Sequence, residues 1–192
     1  MTRRAIFMDR DGTISEEVGY VNHLSRYKLL PRSIDAIKMI NDAGFLAIVA
    51  TNQSGVARGY FAEALVGAVH ERLLSWVREG GARLDAIYYC PHHPREGPPP
   101  FRADCDCRKP RPGMLLRAAR EHGIDLTGSY MIGDSRVDME AAAAAGARPV
   151  LVLTGYGRGL VDHQSDRLKV KPLTIAEDLH EAVRFILEKE RR

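Results

Sequence analysis

Two aspartates near the start of the chain have the type and spacing that phosphoryl transfer requires. Asp9 and Asp11 lie two residues apart in the segment Asp-Arg-Asp-Gly-Thr, directly after the apolar run Ala5–Met8. One carboxylate can attack phosphorus to form an acyl-phosphate, and a second can protonate the leaving alcohol and then deprotonate water. The alternative is an acidic surface turn, because Asp-Gly is a common turn dipeptide. Taken alone, the segment favours a catalytic loop.

Two more polar segments could bind the transferred phosphoryl group. Thr51 ends a second apolar run and precedes Asn52, Gln53 and Ser54. A hydroxyl beside backbone N–H groups can cradle a phosphate, although the same residues could form an ordinary polar turn. Lys109 precedes a predicted helix, where its ammonium could neutralise phosphoryl oxygens or could simply be solvated. We interpret these five residues as candidate phosphate and substrate ligands.

The segment Gly-Asp-Ser-Arg-Val-Asp supplies further carboxylates, at Asp134 and Asp138. Mg²⁺ prefers hard oxygen ligands and usually keeps several waters. We therefore expect Asp9 and Asp134 to ligate a catalytic magnesium ion. Asp138 lies one helical turn further on and better suits a water-mediated contact, or is an acid stabilised by the dipole at a helix N-terminus.

All three cysteines of the chain lie in one short segment. Cys90 begins a Cys-x-His pair, and Cys105 and Cys107 form a Cys-x-Cys pair. Three cysteines and one histidine are a ligand set for tetrahedral zinc. Symmetry between the pairs favours His92 and leaves His93 as a neighbour, a substrate contact or an exposed residue. Four protein ligands leave no open position, so we predict a structural zinc that orders the proline-rich loop 90–107. Unpaired buried thiols are the alternative.

Alternating strand and helix patterns must position these residues. Apolar runs predict five strands, over Ala5–Met8, Leu46–Ala50, Ala86–Tyr89, Ser129–Ile132 and Pro149–Leu153. This alternation predicts one α/β domain over residues 1–192, with a doubly wound, mainly parallel sheet. Ligands of such sheets bind beyond the carboxyl ends of the strands. Because Asp9, Thr51, Cys90 and Asp134 each end or follow a predicted strand, we expect them to converge.

Helical patterns occupy the intervals between the strands. Ser33 is a candidate cap for a helix that Gly44 ends. A second helix is predicted from the apolar stripe Leu65, Val69, Leu73 and Trp76, which Gly80–Gly81 closes, and further helices are predicted over 112–122 and 138–145. Thr174 and Glu177 suggest a capping box for the last helix, whose apolar stripe would be Ile175, Leu179, Val183 and Ile186. We interpret residues 157–171 as a polar connection.

Composition excludes several classes of protein. Hydrophobic residues make up 45% of the 192 residues, enough for one domain with its own core. The net charge of +3 is too mild to indicate nucleic-acid binding. No apolar run approaches the roughly 20 residues that span a bilayer, and charges interrupt the N-terminal segment before a signal-peptide core could form. We therefore expect a cytoplasmic protein without a nucleic-acid or membrane partner, and a monomer.

In combination, these segments resemble the haloacid dehalogenase (HAD) phosphatase superfamily. The matching motifs are Asp-x-Asp-Gly-Thr at 9–13, Thr51, Lys109 and Gly-Asp-x-x-x-Asp at 133–138. The resemblance covers most of the chain and implies a HAD-like fold, which here would lack a large cap domain because the gaps between strands are short. It implies that Asp9 is the nucleophile, that Asp11 is the general acid and base, and that the Asp11 carbonyl also ligates magnesium.

Longer motifs narrow the resemblance to heptose-bisphosphate phosphatases within that superfamily. These motifs are Val-Gly-Tyr-Val, Thr-Asn-Gln-Ser-Gly, Cys-Pro-His-His-Pro and Cys-Asp-Cys-Arg-Lys-Pro. The resemblance implies a small phosphorylated sugar as substrate, with the C7 phosphate removed during synthesis of nucleotide-activated heptose for bacterial surface glycans such as lipopolysaccharide. It also implies that Glu17, Gly19 and Tyr20 face the substrate and that Arg108 grips the distal phosphate or the sugar. The likeness weakens after Gly155.

Three alternatives remain at this stage. A histidinol-phosphate phosphatase shares the acidic loop and the zinc loop, so only substrate assays separate it. A nucleic-acid 3′-phosphatase also carries an Asp-x-Asp-Gly-Thr loop, but the mild charge and the lack of a basic, aromatic stripe argue against it. A non-catalytic, zinc-stabilised binding module would be expected to lack a catalytic carboxylate, and both Asp9 and Asp11 are present.

Overall fold

A six-stranded parallel sheet forms the centre of the computed structural model, which describes residues 2–191. The strands are β1 (Ala5–Met8), β2 (Leu46–Asn52), β3 (Ala86–Cys90), β4 (Tyr130–Gly133), β5 (Arg148–Val152) and β6 (Thr174–Ala176). They lie in the order β3-β2-β1-β4-β5-β6, and each neighbouring pair is parallel. The strand order reverses between β1 and β4, which is where a doubly wound sheet opens a crevice. The predicted α/β class is confirmed.

Six α-helices and two short 3₁₀ turns connect the strands. The helices are α1 (Ser33–Asp42), α2 (Glu63–Glu79), α3 (Gly113–His122), α4 (Arg136–Ala145), α5 (Gly157–His163) and α6 (Leu179–Glu190). The 3₁₀ turns cover Leu24–Arg26 and Ser165–Arg167. Within residues 2–191, no helix combines the length and the apolar character needed to cross a bilayer.

Both faces of the sheet are buried, as the uninterrupted apolar sequence of β1 predicts. Ile6 and Met8 point into a core shared with α1, α2 and α6, whereas Ala5 and Phe7 point into a second core shared with α3 and α4. All four side chains are fully buried. Burying a side chain of the size of Ile, Met or Phe stabilises the fold by about 1.5–3 kcal/mol. This central strand therefore fixes the position of the loop that follows it.

The predicted capping box at Thr174 is wrong. Thr174 begins strand β6, which pairs with β5, and Ile175 is 45% exposed instead of joining the apolar stripe of the last helix. Asp178 caps α6 by accepting a hydrogen bond from the Glu181 N–H over 2.8 Å. Backbone pairing with the sheet edge takes precedence here over a local helix signal.

Two other local expectations need correction. Ser33 is the first residue of α1 and not its cap, because its hydroxyl donates to the Ile14 carbonyl oxygen over 2.8 Å. The segment 157–171 is not merely a polar connection, since it contains helix α5. Gly157 makes that helix possible by close approach: a Cβ on it would lie 1.8 Å from the Val152 carbonyl oxygen.

Candidate active site

The predicted catalytic residues meet at the carboxyl edge of the sheet. Asp9 follows β1, Thr51 lies near the end of β2, and Asp134 follows β4. They line a cavity of about 250 Å³ together with Asp11, Glu17, Gly19, Tyr20, Val21, Asn52, Gln53, Ser54, Lys109, Ser135, Val137 and Tyr156. A larger cavity, of about 570 Å³, lies between β3 and α3 and is lined by other residues. The convergence of strand ends, and not cavity size, therefore identifies the candidate site.

A buried lysine lies between two carboxylates at the floor of this cavity. Lys109 is 2% exposed, and its Nζ lies 3.1 Å from Asp9 Oδ1 and 2.5 Å from Asp138 Oδ1. It also donates to the Ala50 carbonyl oxygen over 2.7 Å. Burial alone lowers the pKa of Lys109, but Asp138 and Asp9 more than offset this, so the pKa is raised. The ammonium therefore stays charged beside Asp9.

Three carboxylates crowd this point. One oxygen from each of Asp9, Asp134 and Asp138 lies within 4.8 Å of the others. Burial raises the pKa of Asp9 to about 6, with Lys109 opposing the shift and Asp138 adding to it. Burial, followed by the charges of Asp138 and Asp9, raises the pKa of Asp134 well above its usual value. Three acids against one ammonium leave excess negative charge in a set of hard oxygen donors, which fits a divalent cation such as Mg²⁺.

Two glycines allow Asp134 to pack against backbone. A Cβ on Gly12, whose φ is +80°, would lie 2.2 Å from Asp134 Oδ2, and a Cβ on Gly155 would lie 2.0 Å from it. Thr154 ties the two loops together, because its hydroxyl donates to the Gly12 carbonyl oxygen over 2.6 Å. The Tyr156 N–H donates to Asp134 Oδ2 over 2.8 Å and so orients the carboxylate. The absence of side chains on these glycines thus creates room for the acid.

Asp11 is held by four hydrogen-bond donors. Arg10 donates from Nε to Oδ1 over 3.1 Å and from Nη2 to Oδ2 over 2.7 Å, which is a bidentate arrangement. Gln53 Nε2 donates to Asp11 Oδ2 over 2.9 Å and to Thr51 Oγ1 over 3.0 Å. Ser15 adds a longer contact of 3.3 Å to Oδ1. Gln53 therefore joins the second carboxylate to the candidate phosphate-binding hydroxyl.

The three cysteines and one histidine form a compact cluster beside the cavity. Cys105 Sγ lies 3.5 Å from Cys90 Sγ and 3.2 Å from Cys107 Sγ. His92 Nδ1 lies 3.4 Å from Cys107 Sγ and 3.7 Å from Cys90 Sγ. A tetrahedral zinc with bonds of about 2.3 Å to sulfur has ligand–ligand edges of about 3.8 Å. The cluster has the ligand types and nearly the spacing to hold zinc.

His93 lies outside this cluster and contacts the loop that follows β2. Its Nε2 lies 3.1 Å from Arg58 Nη2, and Arg58 also pairs with Glu96 over 2.5 Å. Gly97 approaches the same loop so closely that a Cβ on it would lie 1.9 Å from the Ala57 carbonyl oxygen. The cysteine-containing loop is therefore packed directly on the segment that carries Gln53 and its neighbours.

Most of the residues expected to face the substrate do line the cavity. Glu17, Gly19 and Tyr20 form part of its wall, and the Glu17 carboxylate accepts a hydrogen bond from the Gly19 N–H. Arg108 does not line it. Arg108 lines a separate cavity of about 200 Å³, which shares Lys109 with the first, and its Nη1 donates to the His92 carbonyl oxygen over 3.3 Å.

The sequence analysis did not single out three residues that lie in or behind the site. Arg10 is 1% exposed although arginine is rarely buried, and His70 on α2 is 8% exposed. Tyr156 lines the cavity from the loop after β5, although the residue as a whole is 58% exposed. The spacing Asp-x-Asp makes the intervening side chain a neighbour of both acids, which is the one hint the sequence offers for Arg10.

Comparison with known proteins gives consistent results. A HAD-hydrolase-like family model matches residues 106–182. The D-glycero-beta-D-manno-heptose-1,7-bisphosphate 7-phosphatase of Pseudomonas putida is 46% identical over 155 residues, which cover 80% of this chain and 85% of the relative. The enzyme of that name from Escherichia coli strain K12 is 47% identical over 152 residues, covering 79% and 80% respectively.

A solved structure is similar along nearly the whole chain. The D,D-heptose 1,7-bisphosphate phosphatase of B. bronchiseptica, complexed with magnesium and phosphate, superposes with a TM-score of 0.85 at 36% identity. The match covers 97% of this chain and 99% of that one. The similarity therefore extends to the sheet edge where the carboxylates converge, and it confirms a HAD-like fold.

Proposed function

Since the chain belongs to the D-glycero-beta-D-manno-heptose-1,7-bisphosphate 7-phosphatase family, we propose that it removes the C7 phosphate of heptose 1,7-bisphosphate through an aspartyl-phosphate on Asp9. The observation that carries this proposal is the position of Asp9 beside Lys109, 3.1 Å away, in a cavity that Asp11 also lines. That arrangement provides a nucleophile, a fixed positive charge and a second acid within reach of one phosphoryl group.

In the first step, an oxygen of Asp9 forms a bond to phosphorus as the bond from phosphorus to the C7 oxygen breaks. The electron pair of that bond passes to the leaving oxygen, and Asp11 supplies the proton that makes it an alcohol. Lys109 and Thr51 stabilise the negative charge of the equatorial oxygens. A water molecule then attacks phosphorus while Asp11 takes its proton, which releases inorganic phosphate and restores the Asp9 carboxylate.

A magnesium ion belongs to this proposal. Asp9, Asp134 and the Asp11 backbone carbonyl would hold it, and Asp138 would contact it through water. Bound there, it would supply positive charge against the phosphoryl oxygens. The support is the excess of carboxylates described above and the magnesium and phosphate in the similar B. bronchiseptica enzyme.

The cysteine cluster is proposed to hold a structural zinc ion. Cys90, His92, Cys105 and Cys107 would fill all four positions of a tetrahedral site, so no position stays open for substrate. The ion would order the loop that rests on the segment after β2 and ends next to Lys109. Its role is therefore architectural and not chemical.

Phosphate release from a panel of esters tests the proposal. The panel contains heptose 1,7-bisphosphate, histidinol phosphate and a 3′-phosphorylated oligonucleotide, each assayed with Mg²⁺. We expect the highest kcat/KM with the heptose ester and a loss of about 10³-fold or more for Asp9→Asn. Asp162→Asn, on the exposed side of α5, serves as the matched control and should retain activity.

Two results would contradict the proposal in different ways. Undiminished turnover by Asp9→Asn would exclude the aspartyl-phosphate mechanism. A higher kcat/KM with histidinol phosphate than with the heptose ester would keep the mechanism but assign a different substrate.

A further inference from the structure

A buried histidine on α2 contacts the side chain that lies behind the catalytic loop. His70 is 8% exposed, and its Nε2 lies 3.1 Å from Nη1 of Arg10. Arg10 is 1% exposed, and its remaining nitrogens form the bidentate contact with Asp11. A single guanidinium therefore connects His70 to the carboxylate of Asp11.

The chemistry of the two side chains defines the direction of the bond. A guanidinium only donates hydrogen bonds, so Nε2 of His70 must be its unprotonated acceptor. Burial, followed by the charge of Arg10, lowers the pKa of His70 to about 4, which keeps the ring neutral near pH 7. The ring also packs edge-on against Tyr89 with centroids 5.4 Å apart, which restrains its rotation.

Arg10 depends on this acceptor. Its guanidinium lies 5.5 Å from the centroid of the Tyr27 ring, a cation–π contact that supplies no hydrogen-bond acceptor for Nη1. Without His70, Nη1 would be a buried donor with no partner, and the guanidinium would turn to satisfy it. Any such turn moves the two donors that hold Asp11, because the fork is rigid and planar.

We propose that His70 is a positioning residue, which accepts a hydrogen bond from Arg10 and thereby fixes the guanidinium fork that sets the orientation of the Asp11 carboxyl group. The inference rests on the proposed function, in which Asp11 gives a proton to the leaving oxygen. Displacing a catalytic group by about 1 Å can cost on the order of 10²-fold in rate. Removing the His70 acceptor should therefore slow proton donation by Asp11 and leave the attack by Asp9 unaffected.

Leaving-group dependence separates these two effects. A sugar alkoxide needs a proton as it leaves, whereas p-nitrophenolate is stable without one, so only the first ester requires a well-placed acid. The experiment measures release of the leaving group in a single turnover, with enzyme in excess over heptose 1,7-bisphosphate or p-nitrophenyl phosphate. This design observes formation of the aspartyl-phosphate alone and is insensitive to its later hydrolysis.

The test uses variants that keep or remove the hydrogen-bond acceptor at position 70. His70→Leu removes it, and His70→Gln places an amide oxygen near the position of Nε2. We expect His70→Leu to lose about 10- to 100-fold with the sugar ester but less than about 3-fold with p-nitrophenyl phosphate. His70→Gln should recover most of the rate. His70→Phe, which keeps the aromatic contact with Tyr89, replaces the Leu variant if that one does not fold.

His163→Leu, on the exposed side of α5, is the matched histidine control and should leave both rates unchanged. Equal losses with the two esters, or no loss with the sugar ester, would overturn the positioning role while the wild-type enzyme still turns over. A wild-type enzyme that releases no leaving group from either ester would instead contradict the proposed function, and this inference with it.

Discussion

The side-chain amide of Asn52 and the backbone of Lys109 form two reciprocal hydrogen bonds. Asn52 Nδ2 donates to the Lys109 carbonyl oxygen over 3.1 Å, and the Lys109 N–H donates to Asn52 Oδ1 over 3.0 Å. Asn52 ends β2, whereas Lys109 follows the cysteine-containing loop. These bonds therefore anchor the end of that loop to the central sheet and hold the ammonium opposite Asp9.

Replacing Asn52 by alanine should lower turnover by moving Lys109. We expect kcat to fall by about 10- to 100-fold, because a small misplacement of a charge-stabilising group is costly. Asn41 offers a close structural control, since it makes the same reciprocal pair with the Arg83 backbone, at 3.0 and 2.7 Å, far from the cavity. Asn41→Ala should reduce the melting temperature similarly without changing kcat. Equal effects of both variants on kcat would contradict this role.

Replacing Gly12 by alanine should weaken magnesium binding. The new Cβ would lie 2.2 Å from Asp134 Oδ2 and would push the carboxylate from its position. We expect at least about a 10-fold rise in the magnesium dissociation constant measured by titration calorimetry, as found when groups around metal ligands are disturbed. Gly44→Ala has nearly the same φ, +78°, but nothing within 4 Å of its Cβ. The Gly44 variant therefore introduces backbone strain without the clash. An equal rise of the magnesium dissociation constant in both variants would contradict the steric explanation.

The two adjacent histidines of the cysteine-containing loop should differ in their effect on zinc content. His92→Ala removes a ligand, so we expect zinc measured by mass spectrometry of the purified protein to fall well below one ion per chain. His93→Ala removes the contact with Arg58 but leaves the ligand cluster whole, and it should keep zinc. If the His93 variant lost zinc and the His92 variant kept it, His93 would be the ligand and the prediction would be wrong.

Glu190 should stabilise the fold without affecting catalysis. It bonds the Tyr130 hydroxyl, Arg4 and Arg148 at the amino end of the sheet, opposite the cavity. Breaking such a partly buried network costs about 1–2 kcal/mol, or about 2–8 °C in melting temperature for a chain of this size. We expect Glu190→Gln to show this loss at pH 7 with unchanged kcat. Glu188→Gln, an exposed neighbour, is the control and should melt like the wild type.

The contribution of Glu190 should also depend on pH. The hydrogen bond from Tyr130, aided by Arg4 and Arg148, lowers the pKa of Glu190 from 4.5 in the folded state. A lowered folded-state pKa gives stability that is fully present above pH 4.5 and is lost as the pH falls through the folded value. The difference in melting temperature between wild type and Glu190→Gln should therefore shrink in acid. A constant difference from pH 7 to pH 3 would contradict this.

Five of the six strands were accessible from local patterns, whereas their order in the sheet was not. Ala5–Met8 was predicted to the residue, because a short apolar run followed by polar residues has few other interpretations. β6 was missed, because Thr174–Ala176 carries a helix-capping signal and only pairing with β5 makes it a strand. α5 was missed because its seven residues have no apolar stripe and rest on a close backbone contact at Gly157.

By itself, the sequence determined which residue types could do chemistry and that strand ends would collect them at one edge. Those properties are local, since they depend on spacing along the chain and on the periodicity of each element. Only the tertiary structure decided that Lys109 lies between Asp9 and Asp138, and that Arg10 turns inward to connect His70 with Asp11. These contacts join residues up to 100 positions apart, as between Lys109 and Asp9, and no local pattern records them.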